Sequence, residues 1–365
     1  MTADNGALVM DRNTGGAELL ELGLLVQGDK IFQERLLAGV SLTYASAAPV
    51  LPPNLRLAAV NAFLLSQAAE TIDAYVDADV PVKQELFRRL SAAASDFSQA
   101  GTAALPPSLL AKLPPAGREL LRNLPRLLRV TACLPPLQRQ AVRHCVEQAC
   151  AGYIRLLPLR GPDGVPDLRA YDDYGYCRNG ALSQCLTTLF CDHSPAIARH
   201  TAELHALASD FGRGLCATQI LKNVRRDRQR GVCYLPRDLF RAHGLELADH
   251  QDWSSDPRFR AGFDALIGRA HAQLRKALDY VLLLPPDEDG IRRFCIWPVG
   301  LALMTLRRLH GGRRRPALIE DDLRMRPRAL RLAVPASRWL VRRDPWLRGA
   351  FRLASRGLPA PTGGR

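Results

Sequence analysis

Aromatic residues are scarce, with Phe, Trp and Tyr at 6% of the 365 residues. Strand patterning is missing as well: no segment sustains the period-two alternation of a half-buried sheet. Together these lacks argue against a β-sandwich or barrel. No apolar run reaches the roughly 20 residues that a membrane-spanning helix needs. No basic segment leads into an apolar run at the N-terminus, so no signal peptide is expected. The nine cysteines are odd in number and scattered, which argues against a disulfide framework and points to a reducing, cytoplasmic compartment. Neither Cys145 with Cys150, nor Cys185 with Cys191, has zinc-site spacing, and His200 and His205 do not align on a helix. Gly212 and Gly214 follow no strand, so they make no dinucleotide fingerprint; close helix packing is their expected role.

What is abundant is Ala, Leu and Arg, and hydrophobic residues reach 47%. These side chains lose little freedom in a helix. Helical spacing of apolar residues predicts helices over Asn54–Val76, Lys83–Ala94, Leu137–Leu156, Asp172–Phe190, Ile197–Arg226, Phe259–Leu282 and Phe294–Arg308. The Pro- and Gly-rich stretch Gln99–Arg118 reads as a loop with short helical pieces. The expected fold is all-α: one helical bundle over residues 31–310, a loose segment 1–30 before it, and an Arg-rich tail 311–365 after it.

The net charge of +14 sits largely in that tail. From Leu301 to Arg365 sixteen Arg face four acids, which accounts for +12 of it. A solvated tail is the plain expectation. Membrane-surface contact is the second, because Trp339, Leu340, Trp346, Leu347 and Phe351 interleave with Arg338, Arg342, Arg343, Arg348 and Arg352. No nucleic-acid recognition motif accompanies the charge, so nucleic acid is not an expected partner.

Two acidic segments stand out. In the stretch Asn61–Asp79, Glu70 and Asp73 share one helix face, and Asp77 is expected to extend it by a turn. In Ala208–Phe240, Asn223 and Asp227 are four apart on one face, before Gly231 and Pro236 turn the chain. Alone, the acids read equally well as a solvated face, Arg225 to Arg230 as a basic turn, and Tyr176 as a core residue.

Five segments in order resemble the squalene/phytoene synthase family over roughly residues 35 to 310. Ser41-Leu42-Thr43-Tyr44 is similar to the family's Ser-Arg-Thr-Phe, and Glu70-Thr71-Ile72-Asp73-Ala74 to its first Asp-Thr-x-Glu-Asp motif. Tyr176-Cys177, with Gly180 and Ala181, resembles its Tyr-Cys-x-x-x-Ala-Gly helix. Thr218, Lys222, Asp227, Gly231, Tyr234 and Pro236 keep the spacing of the second acidic motif. Phe294 to Pro298, continuing to Thr305-Leu306, looks like the squalene synthase version of the C-terminal helix.

The resemblance implies a class I terpenoid synthase bundle around a central cavity. It also implies magnesium-dependent head-to-head joining of two prenyl diphosphates, farnesyl diphosphate favoured, through a cyclopropylcarbinyl diphosphate. The squalene branch adds reduction by NADPH. Metal ligation falls by that resemblance to Glu70, Asp73, Asp77, Asn223 and Asp227, since magnesium takes hard oxygen ligands. Substrate binding falls to Ser41, Thr218, Lys222, Arg225, Arg226 and Arg228, and catalysis to Asp73, Tyr176 and Asp227.

The departures are specific. The family's Arg is Leu42, another is Gln67, the last Asp of the first motif is Ala74, the leading Asp of the second is Asn223, and Val232 replaces the Arg after the turn. Either arginines such as Arg225, Arg226, Arg228 and Arg230 supply the lost positive charge, or the chain binds an isoprenoid or a protein partner without turnover.

Overall fold

The computed structural model describes residues 28–29, 31–248, 256–311 and 337–360. Helices account for nearly all the regular structure there. Only two isolated bridges, Gly161 with Gly164 and Val165 with Pro236, stand outside them. The principal helices are α1 (31–40), α2 (Leu42–Ala47), α3 (Pro53–Tyr75), α4 (Val80–Ser95), α5 (Pro136–Leu156), α6 (Leu168–Gly175), α7 (Ala181–His193), α8 (Thr201–Gln229), α9 (Pro257–Leu283), α10 (Asp289–Gly311) and α11 (Asp344–Ala354). Short helices fill Pro107–Ala111, Pro115–Arg122 and Leu124–Ala132.

Helix α3 is the central element. Pro53 starts it, its fixed φ already helical and its missing N–H not needed in the first turn. Leu55, Ala58, Ala59, Ala62, Leu64, Leu65, Ala68 and Ala69 are all buried, so apolar contact surrounds it. The buried Asn61 is fully partnered: Gln33 Nε2 donates to its Oδ1 at 2.7 Å, and its Nδ2 donates to Leu127 O and Thr131 Oγ1. The helix ends at Tyr75 because Val76 turns extended.

Helix α8 stands across from α3, and α7 packs on both. Close approach explains two glycines. A Cβ on Gly212 would meet Asn179 O at 2.4 Å, and one on Gly214 would meet the α9 backbone at 3.1 Å. The packing role expected for this pair therefore holds.

The predicted helix Asp172–Phe190 is two helices joined by a π-turn, Tyr176–Gly180. The turn contains Gly180 and follows Gly175, and the Arg178 carbonyl accepts a bond from Ser66 Oγ at 3.2 Å. Helix Leu124–Ala132 was not expected; it is short, amphipathic and begins Leu-Pro.

The tail also departs from expectation. Among its described residues, α11 folds onto α10, burying Val341, Leu347 and Phe351. Arg292 of α10 is 0% exposed and ties this unit down. It donates to the carbonyls of Leu284 and Leu282 and of Val341, and at 2.7 Å to Asp344. Residues 312–336 and the N-terminal segment 1–27 lie outside the described residues.

Candidate active site

A cavity of about 310 Å³ opens between α2, α3, α7, α8 and α10. Its walls are mostly apolar, including Phe63, Leu186, Phe190, Phe211, Leu215 and Phe294. Tyr44 stacks on Phe63 with centroids 3.6 Å apart and meets Phe294 edge-on at 5.3 Å. The polar lining lies toward α3 and α8: Gln67, Asn179, Thr218, Gln219 and Lys222. Ser41 lines it from the start of α2, where its hydroxyl caps the helix. Ser41, Thr218 and Lys222 are therefore placed on the cavity as the sequence implied. Thr218 Oγ1 also donates to Gly214 O within its own helix, at 2.9 Å.

Beyond Gln67 the polar end becomes a cluster of charge. Gln67 Nε2 donates to Glu70 Oε2 at 2.9 Å. The other Glu70 oxygen is paired with Arg178, which the π-turn carries into the protein. Arg178 is buried, and its Nε–H meets no acceptor among the described residues. Asp227 of α8 is also buried. Burial lifts its carboxyl above the ordinary range, while Arg178, Arg230 and Arg226 pull it down and Glu70 pushes it further up. Glu70 and Asp227 are thus electrostatic neighbours from opposite helices, with Arg178 acting on both.

The C-terminal ends of α3 and α8 are clamped together. Arg226 donates to Tyr75 Oη, and the Arg230 guanidinium lies 4.2 Å from the Tyr75 ring centroid. Arg230 also reaches Asp227 at 3.7 Å. Of the four arginines weighed for this helix end, Arg226 and Arg230 are the two placed here. Arg225 is exposed, and Arg228 turns toward the Leu247 carbonyl at 3.4 Å. That contact corrects the Arg228 assignment, while Arg225 lies three positions beyond Lys222 on the same helix face.

Asp73 is at the end of α3 but serves another purpose. It is 1% exposed and enclosed by protein donors. Arg160 pairs with Oδ1, and the hydroxyls of Tyr174 and Tyr234 donate to Oδ2 at 3.0 and 3.1 Å. Lys83 Nζ donates to its backbone carbonyl at 2.8 Å. Burial lowers the tendency of Lys83 to hold its proton, an effect opposed by Asp73. Burial likewise pushes both tyrosine hydroxyls upward. Asp73 is therefore a buried anchor with its lone pairs in use, not an open metal or acid-base group.

Two other expectations fail on geometry. Asp77 does not extend the acidic face, because α3 has already ended; its side chain is 74% exposed and pairs with Lys112 at 2.8 Å. That pair holds the Asp77 carboxyl below its usual range. Tyr176 faces a different, smaller cavity of about 260 Å³ with His144, Gln148, Gln184 and His205. Tyr176 opens the π-turn, and its role was implied by the resemblance of Tyr176-Cys177 alone.

A cluster of magnesium ions shared by the two acidic segments does not fit these residues. Glu70 is taken by Arg178 and Gln67, Asp73 by Arg160, Tyr174 and Tyr234, and Asp77 by Lys112, while position 74 is alanine. Among the described residues no three His, Cys, Asp or Glu side chains gather as a metal site. Asn223 is partly buried on α8 between Lys222 and Asp227.

Residues 37–332 match squalene/phytoene synthase. The chain belongs to that family. The phytoene synthase of Thermus thermophilus is 39% identical over 82 residues, a match spanning 22% of this chain and 28% of that protein. A TcSQS complex with the ligand E5700 has TM-score 0.72 at 17% identity, over 89% of this chain and 90% of that one. A dehydrosqualene synthase bound to a ligand has TM-score 0.57 at 18% identity, over 85% and 96%. In this family member, sequence reasoning missed Arg160, Arg178 and Tyr174. The one available signal was an arginine within the small and apolar run Tyr176–Leu182.

Proposed function

We propose that the chain joins prenyl diphosphates head to head, with farnesyl diphosphate the favoured substrate. The observation that carries this is a cavity with Tyr44, Phe63, Phe190 and Phe294 on its apolar walls and Gln67 and Lys222 on its polar side, where Gln67 bonds Glu70 of the charged cluster. The diphosphate belongs at the polar end, where Lys222 lines the cavity and Arg178, Arg226 and Arg230 gather beyond it. The hydrocarbon belongs along the aromatic walls.

In the first step the allylic C–O bond breaks, and its electron pair leaves on the diphosphate. Aromatic rings on the walls then offer the carbocation electron-rich surfaces, and the prenyl chains fill the space that water would take. The double bond of a second prenyl diphosphate attacks C1, and loss of a proton closes the cyclopropane. No step is assigned to magnesium, because the donor set does not fit a metal cluster, and none to NADPH.

The test is incubation of the purified protein with labelled farnesyl diphosphate, with and without magnesium and NADPH. Release of diphosphate with a C30 hydrocarbon or its cyclopropyl diphosphate is the expected outcome. Tight binding with no turnover would establish the non-catalytic alternative instead.

A second surface supports peripheral contact with anionic lipid. An apolar groove of about 610 Å³ runs between α10 and α11, with Met304, Trp339 and Trp346 exposed along it and Arg342, Arg343 and Arg348 exposed around it. Leu301 lines both this groove and the central cavity. Sedimentation with phosphatidylglycerol vesicles should fall sharply in a Trp339→Ser/Trp346→Ser protein. Binding unchanged by that double substitution would refute the contact.

A further inference from the structure

We infer that the diphosphate is held by the chain's own guanidinium and ammonium groups, with Arg178 standing where a bridging metal ion would otherwise sit between the two acidic helices. The inference rests on the reading of the cavity as a prenyl diphosphate site, and it assigns that site a metal-independent mode of recognition.

Three observations converge on it. The first is position. Arg178 is a buried cation that pairs with Glu70 of α3, on a π-turn that packs against both α3 and α8. The second is an unused donor. The Arg178 Nε–H is buried and meets no acceptor among the described residues. A planar guanidinium presents several donors in one fork, a geometry that matches phosphate oxygens. Leaving one buried without a partner is costly, and the next residue on the turn, Asn179, lines the cavity.

The third observation is the charge of the surroundings. Lys83 and Arg160 enclose Asp73, Arg226 and Arg230 meet at Tyr75, and Lys222 lines the cavity. With Arg178 these make six cationic side chains around Glu70, Asp73 and Asp227. The excess is positive, and the ligand that complements it is a polyanion. A metal-built site has the opposite balance, an excess of carboxylate awaiting cations. The substitutions that remove ligand charge, Ala74 and Asn223, belong with the presence of Arg178: each change moves the centre from binding a cation to binding an anion.

The Arg178 backbone is fixed for this purpose. It lies in the π-turn, where its carbonyl is held by Ser66, and a neighbour on the same turn, Asn179, lines the cavity. The side chain therefore extends from a braced segment next to the cavity's polar end.

The test uses calorimetric titration of the full chain with farnesyl thiodiphosphate, which does not ionise readily, and with inorganic pyrophosphate. Each titration is run in EDTA and again with magnesium. Binding in EDTA is expected, strengthened by magnesium less than about tenfold. Arg178→Met should weaken binding in EDTA by about tenfold or more, the worth of a charge-assisted bond.

Because Arg178→Met strands Glu70, the double variant Glu70→Gln/Arg178→Met provides a better-balanced background. Arg226→Gln, at an exposed position, serves as a third variant, expected to weaken pyrophosphate binding, with thermal unfolding recorded beside it because Arg226 also bonds Tyr75. Binding that appears only with magnesium would overturn the inference while leaving the cavity assignment intact. So would unchanged metal-free affinity in both Arg178 variants. Absence of binding to either probe under both conditions would overturn the cavity assignment itself, and this inference with it.

Discussion

Two aspartates that look equivalent in the sequence have opposite fates in the structure. Asp73 is enclosed by Arg160, Tyr174 and Tyr234, and Asp77 sits on the surface with Lys112. Removing one member of a buried ion pair leaves the other charge stranded, at a cost of about 3–5 kcal/mol. Asp73→Ala should therefore lower thermal stability by that order, measured by denaturant unfolding. Asp77→Ala should leave the unfolding midpoint unchanged, because an exposed pair contributes little. An activity loss in Asp73→Ala must consequently be read beside its stability. Histidine gives a pH-dependent case. Burial lowers the pKa of His205, which lies against Gln184. The unfolded chain then takes up the proton first as pH falls, so this contribution to stability is full above the ordinary histidine value of about 6.5 and declines below it. His205→Gln should flatten the unfolding midpoint between pH 7 and pH 5 relative to the parent chain.

At the scale of the helix, periodicity located most of what is observed. Helix α3 was expected over 54–76 and spans Pro53–Tyr75; α9 was expected over 259–282 and spans Pro257–Leu283. Long helices with a prolyl start and a clear stop announce themselves locally. The π-turn at Tyr176–Gly180 did not, because a widened turn is a matter of one extra residue and leaves apolar spacing nearly intact. Two residues of that turn reach different places: Tyr176 the smaller cavity and Arg178 the charged cluster. The pairings of Asp73 with Arg160 and of Glu70 with Arg178 were equally hidden, since each joins segments about a hundred residues apart or nearly so. Local sequence identified the acids but not their partners. Helix α11 was missed because Leu347 and Phe351, interleaved with arginines, read as a solvated or membrane-surface segment and not as a face packed on α10. Its attachment gives a direct check. Arg292 donates to backbone carbonyls on both sides of the junction and to Asp344. Arg292→Met should loosen α11 and make residues 337–360 the first site of limited trypsin cleavage, with the rest of the bundle protected.

Across the whole molecule, the aromatic-walled cavity lies between an outer groove and the charged cluster beyond Gln67. The central cavity touches the outer groove at Leu301, and the groove is bordered by α11. If the groove meets lipid, the Trp339→Ser/Trp346→Ser protein should lose vesicle sedimentation while keeping its pyrophosphate affinity, since none of the charged cluster lines the groove. The charged end has a consequence of its own. If its countercharge is written into side chains and not borrowed from dissolved ions, swings in the cell's divalent pool should move its anion affinity by less than about tenfold, and chelators that strip metalloenzymes should leave this protein folded and its anion grip in place.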